Sequence, residues 1–288
     1  MKPLLRSLAR AKLQPGSRLR PQASALRAPQ ASALRAPWGW AFSGACVGLL
    51  LSLLLCAPAH WLASAVASAS GHRVRLINAQ GTVWSGSAQL VLTGGTDSTE
   101  AAALPGHLRW QLRPLLTGLA LYFQAGCCTP EPLQVRLQAR WGGFSLQLAK
   151  GQSSWPAELL TGLGTPWNTV ELAGRLVVAS DDLHMHWVQG RISFAGSARL
   201  DAVNLSSRLS TLRPLGSYRL VLQGGDTTRL ELNTLSGSLQ LSGEGGWVGE
   251  RLRFQGQAQA APESEEPLSN LLNIIGHRNG PLSIITLG

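Results

Sequence analysis

The residues that could carry out chemistry are few, and the best-spaced group is a pair of histidines with an acid. Asp182, His184 and His186 alternate along a run that we expect to be a β-strand, so their side chains would share one face. Imidazole and carboxylate groups on one face can bind zinc. A turn at Asp181-Asp182 followed by the polar face of a strand explains the same residues without a metal. We favour this second interpretation and predict no metal site.

The four cysteines form two pairs in different surroundings. Cys46 and Cys56 lie in an apolar run, which is typical of inert packing residues. Cys127 and Cys128 are adjacent and fall in a part of the chain that we expect to lie in an oxidising compartment. Two alternatives stay open for them: a ring closed between the two, or bonds from each to other thiols, including one in another chain. Neither pair has further ligands at a spacing that suits a metal.

Motifs for catalysis are absent from the sequence. It contains no nucleophile elbow, no H-E-x-x-H helix and no paired-carboxylate site. The glycine clusters at 224–225 and 243–246 are not followed by Lys-Ser or Lys-Thr, so they indicate turns rather than a phosphate-binding loop. We therefore expect no enzymatic activity, no catalytic or cofactor-binding residue and no cofactor.

The positive charge is concentrated at the N-terminus. Eight Lys and Arg residues precede residue 38 without a single acid, and the remaining 17 basic residues nearly balance the 15 acidic ones. A nucleic-acid-binding protein would carry its basic stripe on the folded domain, so we exclude this class. The octapeptide Pro21–Ala28 is repeated exactly at Pro29–Ala36, in a segment too poor in apolar residues to fold. We predict that residues 1–37 are a disordered cytoplasmic tail.

Residues 38–57 carry no charge and are long enough to cross a bilayer as a helix. Trp38, Trp40 and Trp61 flank this run where interfacial aromatics are expected, and the basic tail places the N-terminus in the cytoplasm. A signal peptide cleaved after Ala59 or Ala69 is the alternative, but its basic region would be unusually long. We predict a single-pass protein of the cell inner membrane, with a juxtamembrane linker at 58–70 and a C-terminal domain in the periplasm.

The rest of the chain alternates apolar and polar residues in short runs separated by Gly, Pro and Ser. Residues 133–141 and 144–148 are the clearest examples of this period of two. The fold class is therefore mainly β: an antiparallel curved sheet or sandwich, with a first β unit at 71–150, a connector at 151–180 and a second β unit at 181–288. The second unit includes a short helix at 268–276, whose apolar residues have helical spacing, and a final strand at 282–287.

The two β units share short phrases. Gly86–Leu90 returns as Gly196–Leu200, 110 residues later, and Gly106 meets Gly216 at the same offset. Further on, residues 135–146 meet residues 230–241 at an offset of 95, which leaves about 15 extra residues near 115–132 in the first copy. We interpret this as an internal duplication, with chance similarity between glycine-rich strands as the alternative.

Several phrases resemble the general secretion pathway protein N (GspN) family of the type II secretion system, across roughly residues 38–288. They are Gly81–Ala88, Leu209–Leu220, Leu235–Gly243, Phe254–Ala258 and Leu268–Gly276.

The resemblance implies a non-enzymatic accessory or assembly component of the inner-membrane platform that supports export of folded periplasmic proteins across the outer membrane. The implied partners are the bitopic platform components, the secretin or the pseudopilins, and a homo-oligomer is also compatible. We expect contacts by strand addition or by packing, with the strands 81–88 and 282–287 as candidates. The alternative is an AsmA-like anchored periplasmic β protein in lipid or envelope homeostasis, for which a continuous apolar groove would be evidence.

Overall fold

The computed structural model describes residues 38–96, 98, 100–249 and 251–288. The prediction of a disordered tail, with its repeated octapeptide, lies outside these residues. The described α-helices are α1 (Trp38–Leu55), α2 (Ala59–Ala69), α3 (Trp167–Val170) and α4 (Glu265–Ile275), with 3₁₀ turns at Ala157–Leu163 and Pro262–Ser264.

The strands follow one another with short connections. They are β1 (Val74–Gly81), β2 (Ser85–Thr93), β3 (Ala101–Ala103), β4 (Leu108–Leu115), β5 (Gly118–Ala125), β6 (Leu133–Arg140), β7 (Gly143–Leu148), β8 (Gly151–Pro156), β9 (Leu172–Val188), β10 (Arg191–Ser207), β11 (Gly216–Gln223), β12 (Arg229–Gly237), β13 (Leu239–Val248), β14 (Arg251–Ala260), β15 (His277–Asn279) and β16 (Leu282–Leu287).

In the described residues these strands form one antiparallel sheet of sixteen strands. Its order follows the chain from β1 to β14 almost without exception, and then passes to β16 and β15. The short strand β3 pairs with β2, and β8 pairs with the first half of β9. The sheet is open, because β1 and β15 end it on opposite sides. The mainly β prediction is confirmed, and the protein has a single sheet rather than a sandwich.

α1 is confirmed as a helix that is long and apolar enough to cross a membrane. The predicted linker at 58–70 differs from the structure, because residues 59–69 form the helix α2. Alanine and leucine are strong helix formers, and five of the eleven residues of α2 are alanine. One face of α2 packs on the sheet, where Ala59 and Leu62 meet Ala88 and Trp110.

The segment 151–180, predicted as a connector, contains β8, the 3₁₀ turn at Ala157–Leu163, α3 and the first half of β9. β8 runs antiparallel to β9, with Gly151 opposite Ser180 and Pro156 opposite Arg175. The sequence of β9 begins Leu-Ala-Gly-Arg-Leu-Val-Val-Ala-Ser, which lacks a period of two, so the pattern reveals only the second half of this strand, where residues 182–186 alternate. β9 is 17 residues long and pairs with β10 along almost its whole length.

The proposed duplication meets a difficulty in the structure. The 15 extra residues of the first copy include the whole strand β5, not only a loop. One additional strand in an antiparallel sheet reverses the direction of every strand after it. β2 and β10 therefore run the same way along the sheet, as do β4 and β11, whereas β6 runs opposite to β12. The proposed duplication is therefore consistent with the strand directions in the first part of each copy. In the second part it matches β6 with β12, which run in opposite directions.

The predicted C-terminal elements are confirmed. α4 covers one end of the sheet with its apolar face, where Leu268, Leu271 and Leu272 are buried. They pack against Tyr218, Leu239 and Ala258. The remaining strand, β16, closes the chain where the sequence predicts it.

Candidate functional site

The histidines of the sequence analysis lie on β9. The rings of His184 and His186 are nearly parallel, with centroids 6.1 Å apart, and both are partly buried. Asp182 does not continue their alternation in a regular way, because it sits at a bulge opposite β10 with φ of 47°. Within the part of the chain that the structure describes, no three His, Cys, Asp or Glu residues are grouped to hold a metal ion.

The adjacent cysteines form a disulfide with each other. They lie in the turn between β5 and β6, where Cys127 is exposed and Cys128 is buried against Leu104, Ala125 and Leu159. Of the two alternatives, the structure thus selects the ring closed between the pair. Cys46 and Cys56 are free and exposed. Cys46 lies in the apolar helix α1 and Cys56 directly follows it, and their role as inert packing residues stays a prediction.

An ion-pair cluster joins β10 to β11. Arg219 donates two hydrogen bonds to the carboxylate of Asp201, at 2.7 and 3.0 Å, and Arg199 lies 3.3 Å from the same carboxylate. The hydrogen bond to Asp201 raises the pKa of the Arg219 guanidinium. Asp201 and Arg219 are direct cross-strand partners, so the cluster fixes the register of the two strands. The sequence does not reveal it, because 18 residues separate the partners.

The Gly81-Thr82-Val83-Trp84 phrase holds the end of α1 against the sheet. The indole Nε1 of Trp84 donates to the carbonyl of Leu54 at 2.7 Å, and the amide of Val83 donates to the carbonyl of Ala57 at 2.8 Å. The last carbonyls of a helix have no partner within the helix, so these bonds satisfy groups that would otherwise be orphaned. The turn between β1 and β2 is therefore the point where the apolar helix joins the sheet. We call this end of the strands the anchor end.

The second predicted contact strand, β16, has an open edge. β14 pairs with it on one side, and on the other side β15 covers only residues 282–284. The outer side of residues 285–287 therefore has no strand beside it in the described chain, and Leu287 is 56% exposed. The first predicted contact segment, 81–88, offers no open strand edge at Gly86 and Ser87, because these residues pair with both β1 and β4. Strand addition is excluded there, and a packing contact by this segment stays a prediction.

The opposite end of the sheet is better protected. The pairing of β1 with β2 shifts register between Ile77 and Gln80, and Asn78 has φ of 54° there. Such bulges twist an edge strand away from further pairing. α2 also packs against β1. Of the two ends, the β16 side is the one that can accept another strand.

A groove of mixed polarity lies beside this open edge, on the face of the sheet opposite α4. It encloses about 1210 Å³ and runs across β12, β13, β14 and β16, with Ile284 and Thr286 at its border. Glu231 stands directly opposite Glu244 across the strands, where two like charges disfavour each other. Arg229 and Arg253 also line the groove. The groove thus combines charges of both signs next to unpaired backbone.

The chain was compared with known proteins. Residues 72–284 match the family described as type II secretion system (T2SS), protein N. No curated protein and no solved structure matches the chain at a significant level. The match covers most of the chain, including β1 to β15 and α4 and reaching into β16. The chain belongs to the protein N family of the type II secretion system.

Proposed function

We propose that the protein is a non-enzymatic assembly component of the inner-membrane platform of the type II secretion system. Family membership supports a role in secretion. The apolar helix α1 supports a single membrane anchor, and the basic residues before it favour a cytoplasmic N-terminus and a periplasmic sheet. The proposal assigns no reaction to the chain.

The observation that carries the proposal is the open edge of β16. Unpaired N–H and C=O groups along an exposed, partly apolar strand form a template for another strand. We propose that a periplasmic segment of another secretion component adds to residues 285–287, and that the adjacent groove receives its side chains. The partner classes are a bitopic platform protein, the secretin or a pseudopilin, and a second copy of this chain could use the same edge.

A crosslinking experiment tests this edge. A photoreactive amino acid replaces Leu287 in the full chain, expressed in cells that carry the secretion system. The control position is Leu235, which is similarly exposed but lies on β12, in the interior of the sheet. We expect crosslinks to another secretion component from position 287 and not from 235.

A blocking variant completes the test. Lysine on an edge strand opposes strand addition, so Leu287→Lys should lower both the crosslink and the secretion of exported proteins several-fold. Leu235→Lys introduces the same charge at the control position and should leave both unchanged. Equal crosslinking from the two positions, or normal secretion with Leu287→Lys, contradicts the proposed edge contact.

A second function is favoured by one specific observation, the apolar face of the sheet. Leu119, Leu137, Leu146, Met185 and Phe194 are successive cross-strand partners from β5 to β10. Leu119 and Leu137 are more than a third exposed. A continuous apolar row of this kind, exposed on β5 and β6 and buried at Phe194, could hold acyl chains, as in an AsmA-like envelope protein.

Lipid binding is tested by mass spectrometry of the full chain released gently from detergent. We expect bound phospholipid if the apolar face holds acyl chains, and Leu137→Asp should reduce the bound fraction. Leu235→Asp is the control, since Leu235 is similarly exposed on another part of the sheet. Equal lipid occupancy in the wild type and in Leu137→Asp would rule out this face as the binding site.

A further inference from the structure

Three hairpin tips lie at the anchor end of the sheet, and two of them carry a large apolar side chain without cover. They are the turns between β4 and β5 (residues 116–117), between β6 and β7 (residues 141–142) and between β9 and β10 (residues 189–190). Leu116 is 107% exposed and Trp141 is 102% exposed. Large apolar side chains with no cover at all on adjacent turns are unusual for a surface that faces only water.

The tips form a row that begins beside the membrane helix. The amide of Leu112 in β4 donates a hydrogen bond to the carbonyl of Trp84. The indole of Trp84 in turn donates to the carbonyl of Leu54. The β4–β5 turn therefore lies at the same end of the sheet as the end of α1. β4, β5, β6, β7, β9 and β10 are consecutive in the sheet, so neighbouring tips lie about 10 Å apart, two strand spacings each.

The row is basic as well as apolar. Arg113, Arg140 and Arg191 flank the three tips and are all exposed. No Asp or Glu occurs in 112–119, 139–144 or 187–192. Segments at the other end of the same strands carry both signs: acids such as Glu100, Glu131 and Glu171 stand beside the basic residues Lys150, Arg208 and Arg213. Only the end that holds the apolar helix has basic residues without acids at these three tips.

We propose that these three tips dock on the anionic surface of the membrane in which α1 is anchored. Leu116 and Trp141 enter the interfacial region, where tryptophan is preferred. The three arginines meet the phosphate groups of acidic lipids, which attract basic segments within a Debye length of the surface. A second contact of this kind, beside the helix, restricts the rotation of the sheet about its single anchor and sets which edge it presents. The inference rests on the proposed membrane anchor and specifies how the anchored sheet is oriented.

Hydrogen exchange of the full chain in lipid nanodiscs tests the docking. Amides of 112–119, 139–144 and 187–192 are compared in nanodiscs that contain phosphatidylglycerol, in nanodiscs of phosphatidylcholine alone, and in detergent micelles. We expect several-fold slower exchange of the three tips in the phosphatidylglycerol nanodiscs. The slowing should decrease at about 1 M salt, because screening weakens contacts between exposed charges.

Two variants and a control separate docking from misfolding. Arg140→Glu with Arg191→Glu reverses two tip charges, and Leu116→Ser with Trp141→Ser removes the apolar contacts. Arg75→Glu with Arg213→Glu makes the same charge change at exposed positions at the other end of the sheet. Both tip variants should lose the slowing at the tips, while the exchange of the paired residues 175–179 of β9 and 199–203 of β10, far from the tip, stays unchanged. The control should keep the slowing.

The outcomes distinguish this inference from the proposed function. Equal exchange rates of the tip amides in both kinds of nanodisc and in micelles would overturn the docking. That result would favour a protein as the partner of this row. Slowing that is the same with and without the acidic lipid overturns the role of the arginines. A chain that fails to insert into nanodiscs at all contradicts the membrane anchor itself, and with it the proposed function.

Discussion

Tyr218 shows how one buried polar group ties the stability of the sheet to pH. Its hydroxyl donates to the carbonyl of Leu239 at 3.0 Å, and burial raises the pKa of the phenol well above its usual value of about 10. Above pH 10 the unfolded chain releases this proton while the folded chain keeps it. The unfolded state then binds fewer protons, so the free energy of unfolding falls as the pH rises.

The variant Tyr218→Phe isolates this effect. At pH 8 it should unfold about 1–3 kcal/mol more easily, because the buried carbonyl of Leu239 loses its donor. Between pH 10 and 11 the wild type should lose stability faster than the variant, so the difference narrows. Thermal or urea unfolding of the full chain in detergent at both pH values measures this, with Tyr122→Phe as the control that removes the other tyrosine. A constant difference at both pH values would contradict the buried-phenol explanation.

α4 is the element whose packing the sequence predicts best. Its buried residues Leu268, Leu271 and Leu272 seal one end of the apolar face, and its other face is in water. Leu271→Ala should lower the free energy of unfolding by about 2–5 kcal/mol, since it leaves a cavity in a packed cluster. Ile274→Ala is the matched control on the exposed face and should change it by less than about 1 kcal/mol. Unfolding in denaturant compares the two, and equal losses would show that α4 does not seal the sheet.

The elements that the sequence predicts are those with a local signal. The 3.6 period of α4, the alternation of β6 and β7 and the uncharged run of α1 each depend on neighbouring residues only. The first half of β9 is not revealed, because its residues lack the alternation that marks 182–186 in the second half. The linker prediction at α2 underrated the helix propensity of alanine.

The surfaces that carry the proposed functions are less visible in the sequence. Whether a strand is an edge depends on which strands lie beside it, and this distinguishes Gly86 and Ser87, which are covered, from 285–287, which is open. The hydrogen bond from Trp84 to Leu54 joins residues 30 positions apart. The residues 81–84 therefore show a family resemblance in the sequence, but not that their turn holds the end of α1. The three hairpin tips can be recognised as one surface only from the strand order, which places them in one row.

The orientation of the whole molecule can be tested in cells. Protease added to spheroplasts should degrade the sheet after residue 70 and leave the arginine-rich N-terminus intact, because positive charges stay on the cytoplasmic side. Antibodies against tags at the two ends of the chain follow the fragments. Lysed cells serve as the control, in which both ends should be digested. A protected sheet in intact spheroplasts, or a soluble processed chain, would contradict the single-pass arrangement.

The order of the strands has a consequence for how the chain matures. Nearly every strand pairs with one made shortly before it, so one of its two neighbours in the sheet is already present when it emerges. Short-range pairing of this kind favours rapid folding. A chain threaded through a membrane pore from its N-terminal side could thus build its sheet hairpin by hairpin, each new hairpin extending the last, without waiting for its C-terminus. The growing end would remain an unfinished template until β16, the final strand, arrives.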